Sequence, residues 1–206
     1  TITANNGRTH ISRASGTIAI ALDPASPSLR LVQAGSTGQT LSVLRFNATY
    51  EDIRLDRIGL QISTTSAAIG QANASNSPSD LVSVTLWDGD TAVSSPVTFS
   101  SDYATATLTN FVVPADGQKL LTVKADISPV NTVLSQAIPG HLINVVYDSS
   151  ASENCSGGAT SCERGAVGTG VSSGVAVGTG GSDTASNGAR INKATPTITK
   201  LSTTGK

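Results

Sequence analysis

Methionine is absent from this 206-residue chain, and aromatic residues make up only 3% of it, as one Trp, three Tyr and three Phe. Cysteine and histidine are limited to two residues each, and charged residues to 13%. Each shortage excludes something. With His10 and His141 as the only imidazoles, a Ser-His-Asp hydrolase has two choices of base, one in a terminal segment and one opening an expected strand. Glu51, Asp52 and Asp56 are close-set carboxylates, but a glycosidase also needs aromatic platforms that this chain scarcely has. A formal net charge of −1 gives no electrostatic handle for a phosphate backbone or an anionic lipid, which argues against a nucleic-acid partner. No run approaches the roughly 20 apolar residues of a membrane-spanning helix, so membrane insertion is not expected. The first residues, Thr1 to Arg13, have neither a charged n-region nor an apolar h-region, so an exported protein would already have lost its signal. The expectation is a non-enzymatic protein with no cofactor and no metal site.

What is present is alternation. Leu121, Val123, Ala125 and Ile127 oppose Leu120, Thr122, Lys124 and Asp126, the period of two that suits a strand with one buried face. Strands are expected at Gly16–Leu22, Leu29–Gln33, Thr40–Thr49, Ile53–Ser63, Leu81–Trp87, Ala92–Ser100, Ala104–Val113, Gln118–Ile127 and His141–Asp148. Nine strands at this spacing predict an all-β fold of two packed antiparallel sheets. Its core is filled by Val, Ile, Leu and Ala, with Phe46, Trp87, Phe99 and Phe111 as the few large anchors. The apolar phase slips between Val43 and Leu44 and again near Arg57, and a β-bulge in each strand restores the buried face. Asp88-Gly89-Asp90 reads as a hairpin turn and not as a calcium loop, since the carboxylate series of an EF-hand is missing.

The chain divides on composition into an N-terminal segment or incoming strand (1–15), a β-sandwich core (16–148), a Gly/Ser/Thr-rich insertion (149–188) and a final strand with exit linker (189–206). The insertion cannot bury enough apolar surface to fold alone. Its Val167, Val171, Val175 and Val177 suit either a flexible flap or short strands lying on a neighbouring subunit. Within it, Cys155 and Cys162 flank a Gly/Ser loop that a disulfide would staple, stabilising it by about 2–3 kcal/mol. A metal site would need more ligands than His10 and His141 supply, and a free thiol pair is the alternative. Asn47, Asn73 and Asn154 match the N-glycosylation acceptor pattern, at a frequency close to chance in so Ser/Thr-rich a chain. Trp87 is a possible glycan contact if exposed, and a core cap if not. Lys119, Lys124 and Lys193 are candidates, by residue type alone, for intramolecular isopeptide bonds.

The run Gly16-Thr-Ile-Ala-Ile-Ala-Leu-Asp-Pro-Ala-Ser-Pro-Ser, then Val32-Gln-Ala-Gly, Leu44-Arg-Phe-Asn-Ala-Thr-Tyr-Glu-Asp-Ile-Arg-Leu and Leu120-Leu-Thr-Val-Lys-Ala-Asp-Ile resembles the tandem immunoglobulin-like modules of large secreted bacterial surface proteins. In those modules an ending similar to Thr195-Pro-Thr-Ile-Thr-Lys leads into the next module. The resemblance implies an immunoglobulin-like sandwich, a secreted or cell-surface location, and a structural role in surface layers, stalks or filaments. The expected partners are copies of the chain itself or adjacent modules of one polypeptide, joined through strand edges and terminal segments that bury Ile2, Ile198 and Leu201. An adhesin or carbohydrate-binding module, with glycans as partners, is the alternative.

Overall fold

A computed structural model describes residues 15–62, 77–130, 137–149, 165–179 and 183–194. The strands are β1 (Thr17–Leu22), β2 (Arg30–Gln33), β3 (Gln39–Thr49), β4 (Ile53–Ile62), β5 (Leu81–Asp88), β6 (Thr91–Ala92), β7 (Tyr103–Val113), β8 (Gln118–Ile127), β9 (Leu142–Ile143), β10 (Val145–Tyr147), β11 (Ala166–Gly170), β12 (Ala176–Thr179) and β13 (Ala189–Asn192). One sheet runs β1-β3-β8-β5-β6. In the other, β4 pairs with β7 along one side, while β10 and then β11 share its other side and β12 lies outside β11. Both sheets are antiparallel and pack face to face as a β-sandwich. A small third sheet, β2-β13-β9, joins them at one end.

The alternation in β8 is what the packing uses: Leu121, Val123, Ala125 and Ile127 are buried, while Leu120 is exposed. Facing them across the sandwich are Ile53, Leu55, Ile58 and Leu60 of β4, none with measurable exposure. Phe46 of β3 meets Phe111 of β7 edge to face, with centroids 5.5 Å apart, so two of the few aromatic rings pin the sheets together toward the end where β3 turns into β4. Phe99 is buried as expected, but Trp87 is only half-buried.

Both expected phase slips exist, one of them displaced. The β4 slip falls at Asp56, with register shifts against both β7 and β11. The β3 slip lies at Leu41 and not between Val43 and Leu44. The inward position there is taken by Ser42, which is fully buried and donates its hydroxyl to the Val145 carbonyl of the opposite sheet at 2.8 Å. A polar residue holding an inward place hid the true register from a reading based on apolar side chains.

Residues 92–100 do not form the continuous strand expected of them. After the Asp88–Thr91 hairpin, where Gly89 takes φ 58, only Thr91–Ala92 is strand. Beyond it, Val97 bridges Val84 of β5 and Ser94 bridges Leu108 of β7. Pro96, which lacks an N–H, separates the two bridges. The segment thereby crosses from one sheet to the other and closes that border of the sandwich.

The glycine-rich region is a larger departure. Residues 166–179, read as flap or neighbour-bound insertion, form a hairpin inside this chain's own second sheet, with β11 between β4 and β12. Val167 and Val177 are buried there. Glycine serves close approach in β11: a Cβ on Gly168 would stand 2.4 Å from the Arg54 carbonyl oxygen. The final strand also differs from the all-antiparallel expectation, because β13 lies parallel to β2 and antiparallel to β9.

Gly168→Ala should therefore lower stability by about 2–3 kcal/mol through backbone displacement, measurable as a lower urea midpoint. An ordinary strand glycine would respond in the opposite direction, since alanine there is favoured by roughly 0.5–1 kcal/mol.

Candidate functional site

At one end of the sandwich the turn from β3 to β4 carries Tyr50 and Glu51. Tyr50 has φ 76, a left-handed conformation unusual for a bulky residue. It is held by Asp116 in the β7–β8 turn, whose Oδ1 accepts the Tyr50 N–H at 3.0 Å. Asp116 is itself left-handed, at φ 51. Asp52 ties the same two turns from the other side by accepting the Ala115 N–H at 2.7 Å.

Glu51 is only 8% exposed, and its carboxylate is met by four donors. Oε1 accepts the Gly16 N–H at 2.7 Å and the Ser173 hydroxyl at 2.8 Å. Oε2 accepts the N–H groups of Ser172 at 3.1 Å and Ser173 at 2.9 Å. One side chain thus joins the entry to β1, the β3–β4 turn and the β11–β12 turn. Gly170 makes room for it, because a Cβ there would lie 2.3 Å from Oε1. These contacts hold the carboxyl below its ordinary range: the Ser173 hydroxyl has the largest effect, followed by the Ser173 and Gly16 N–H groups, with desolvation opposing them and the Ser172 N–H adding a little.

Above this carboxylate lies an open cleft of about 540 Å³. Tyr50, Glu51 and Asp116 line one wall, and Ser15, Gly16, Ser172 and Ser173 complete it. Tyr50 is 51% exposed, and Val171 and Val175, flanking the serines of the β11–β12 turn, are 57% and 42% exposed. The cleft also lies at the ends of two edge strands. Among the described residues β1 pairs only with β3 and β12 only with β11, and these two strands lie side by side.

At the other end Asp80 is fully buried beneath the start of β5. Its Oδ1 accepts the Ile138 N–H at 3.2 Å, while Oδ2 accepts the Ser77 N–H at 2.8 Å and lies 2.8 Å from His141 Nδ1. This resembles half of a hydrolytic triad. Ser77 and Ser79, however, direct their hydroxyls to each other at 2.9 Å and cap the short 3-10 turn at Pro78–Asp80. The pair fastens the β8–β5 end of one sheet to the chain entering β9.

The remaining candidates are dispersed. Trp87 lies at the β5–β6 hairpin with Lys124 Nζ 4.1 Å from its ring centroid, so one face of the indole already carries a cation from the adjacent strand. Lys119 pairs with Asp88 at 2.8 Å, and Lys193 is exposed beyond β13. Asp56, at the β4 bulge, accepts from Arg54 at 3.1 Å and from the Thr169 hydroxyl at 3.1 Å. Asn47 is half-buried within β3. Ile2, His10, Asn73, Asn154, Cys155, Cys162, Ile198 and Leu201 lie outside the described residues. Sequence reading noted Glu51 only as one of three adjacent carboxylates. The signal for its role was the pairing of that acid with the Val171-Ser-Ser-Gly174 turn, whose N–H groups converge on it, and no local pattern links positions so far apart.

Because the Glu51 carboxyl is depressed in the folded state, its stabilisation is complete above the ordinary carboxylate range and is lost as pH falls through its lowered folded value. Glu51→Gln should melt at a lower temperature than the parent at pH 7, and the gap should narrow on acidification below about pH 4. Thermal unfolding followed by circular dichroism across that range checks both points, and a constant gap would contradict the assignment.

No model of a known protein family matches this chain, and no curated protein matches it either.

Proposed function

We propose that the chain is a non-enzymatic structural unit of a secreted surface layer or filament, whose partners are copies of itself or adjacent modules of one polypeptide. The observation that carries this reading is polarity. The first described strand begins just after Gly16, beside Glu51, and the last, β13, ends where Asn192 accepts the Ala34 N–H at 2.9 Å. These points lie at opposite ends of β3, an 11-residue strand about 33 Å long. A unit entered at one pole and left at the other can be strung head to tail, and such heterologous contacts extend into fibres or lattices.

The borders add support. One is closed by residues 93–97, while β1 and β12 present the other with backbone groups that a neighbour's segment can pair. In this reading Ile2, Ile198 and Leu201 are buried between copies. The immunoglobulin-like resemblance, the extracellular location and a Cys155–Cys162 bridge belong to the same proposal. The glycan-binding alternative draws less support, because Lys124 covers one face of Trp87 and the other large aromatics are mostly buried.

Electron microscopy of the full chain at increasing concentration should show regular fibres or sheets. The triple variant Ile2→Asp, Ile198→Asp, Leu201→Asp should remain dispersed with an unchanged circular dichroism spectrum. A parent protein that stays monomeric by light scattering at every concentration would overturn the proposal.

A further inference from the structure

The cleft beside Glu51 combines two features that rarely coincide on a surface this low in charge. Its wall carries Glu51 and Asp116, and no Lys, Arg or His is among the described residues that line it. Tyr50 lines it, and Val171 and Val175 flank its serines in the β11–β12 turn; these are three of the nine large apolar residues that the described body exposes. Glu51 is saturated by internal donors, so the charge presented outward is that of Asp116, which is exposed and uses Oδ1 for the Tyr50 N–H. An acidic spot within an apolar rim fits an extended segment that offers a cation between two aliphatic side chains.

This chain contains such a segment. Positions 193–206 carry Lys193, Lys200 and Lys206 with no Asp or Glu, and Ile198-Thr199-Lys200-Leu201 sets Lys200 between two aliphatic residues. Its point of departure, after β13, is at the far pole. Six residues from Ala194 to Lys200 span at most about 20 Å, whereas the cleft lies about 33 Å away along β3. Lys200 therefore falls short of the cleft in its own copy, but can enter that of a copy stacked beyond the pole from which it leaves.

We infer that the cleft at Tyr50, Glu51 and Asp116 receives the Ile198–Leu201 segment of another copy, with Lys200 meeting Asp116 and Ile198, on the same face of the extended segment, packing toward the exposed Val171 and Val175. This rests on the assembly reading above and names its contact. Pairing one tail with one cleft makes each contact directional and leaves one cleft and one tail available at the ends of a growing string. It also places the incoming segment at the mouth of the border between β1 and β12, whose outer edges have no strand partner among the described residues.

The test uses the full chain carrying Lys200→Glu as receptor, so that its own tail does not compete, and a fluorescent peptide of residues 193–206 as probe. Anisotropy should show saturable binding that weakens with added salt. Binding should fall about tenfold when the receptor also carries Asp116→Asn, and similarly when the peptide carries Lys200→Glu. Asparagine keeps an acceptor for the Tyr50 N–H and tolerates the left-handed backbone, so the variant removes charge and preserves the turn. Absent binding, or binding indifferent to Asp116→Asn, overturns the inference. Microscopy of the parent separates the two proposals: fibres without peptide binding sink this contact and leave assembly standing, whereas Asp116-dependent binding without fibres supports the contact and sinks the fibre.

Discussion

The Glu51 carboxylate is the constraint on which this end of the molecule depends. It brings together three segments that are far apart in sequence and belong to both layers of the sandwich: the approach to β1, the β3–β4 turn and the β11–β12 turn. Four donors converge on two oxygens, so a charge that would be unfavourable beside a β-sheet core becomes an internal ligand. The surroundings conform to it. Gly170 is small because Oε1 needs the space, and Asp116 and Asp52 hold the neighbouring turn against the one that carries Glu51. The open cleft, the apolar rim and the position of the entering chain all follow from that arrangement.

The layered architecture was legible because most strands obey a period of two. The inward residues of β8 and the Asp56 bulge in β4 could be read from side chains alone. Legibility failed where the inward residue was not apolar. Ser42 occupies a core-facing place through a single hydrogen bond, so the β3 slip was displaced. Gly168 has no side chain to reveal a face, so a strand lying within the second sheet read as a flap or as a strand on a neighbouring subunit. The polar clusters were the least visible. Asp80 and His141 meet at 2.8 Å across a long sequence separation, and Glu51 reaches Ser173 across a longer one. Only the fold brings such residues together.

The two borders of the sandwich are handled differently. On one side the Val84–Val97 and Ser94–Leu108 bridges carry the chain from sheet to sheet, so the β5 and β7 edges are largely covered. On the other, β1 and β12 lie beside each other, each with a ladder partner on one side only among the described residues. The described strands therefore cover the two seams unequally, and exposed strand edges of this kind are what the sealed border avoids.

The small sheet at the far pole has a consequence for how the protein is made. β13 is its middle strand, pairing Ala189 with Arg30 on one side and with Ile143 on the other. During synthesis β2 meets β13, its ladder partner among the described residues, only after all the intervening strands have been made. Contacts so distant in sequence close slowly. The far pole is thereby the last part of the described body to close, after the strands of both main sheets are already in place.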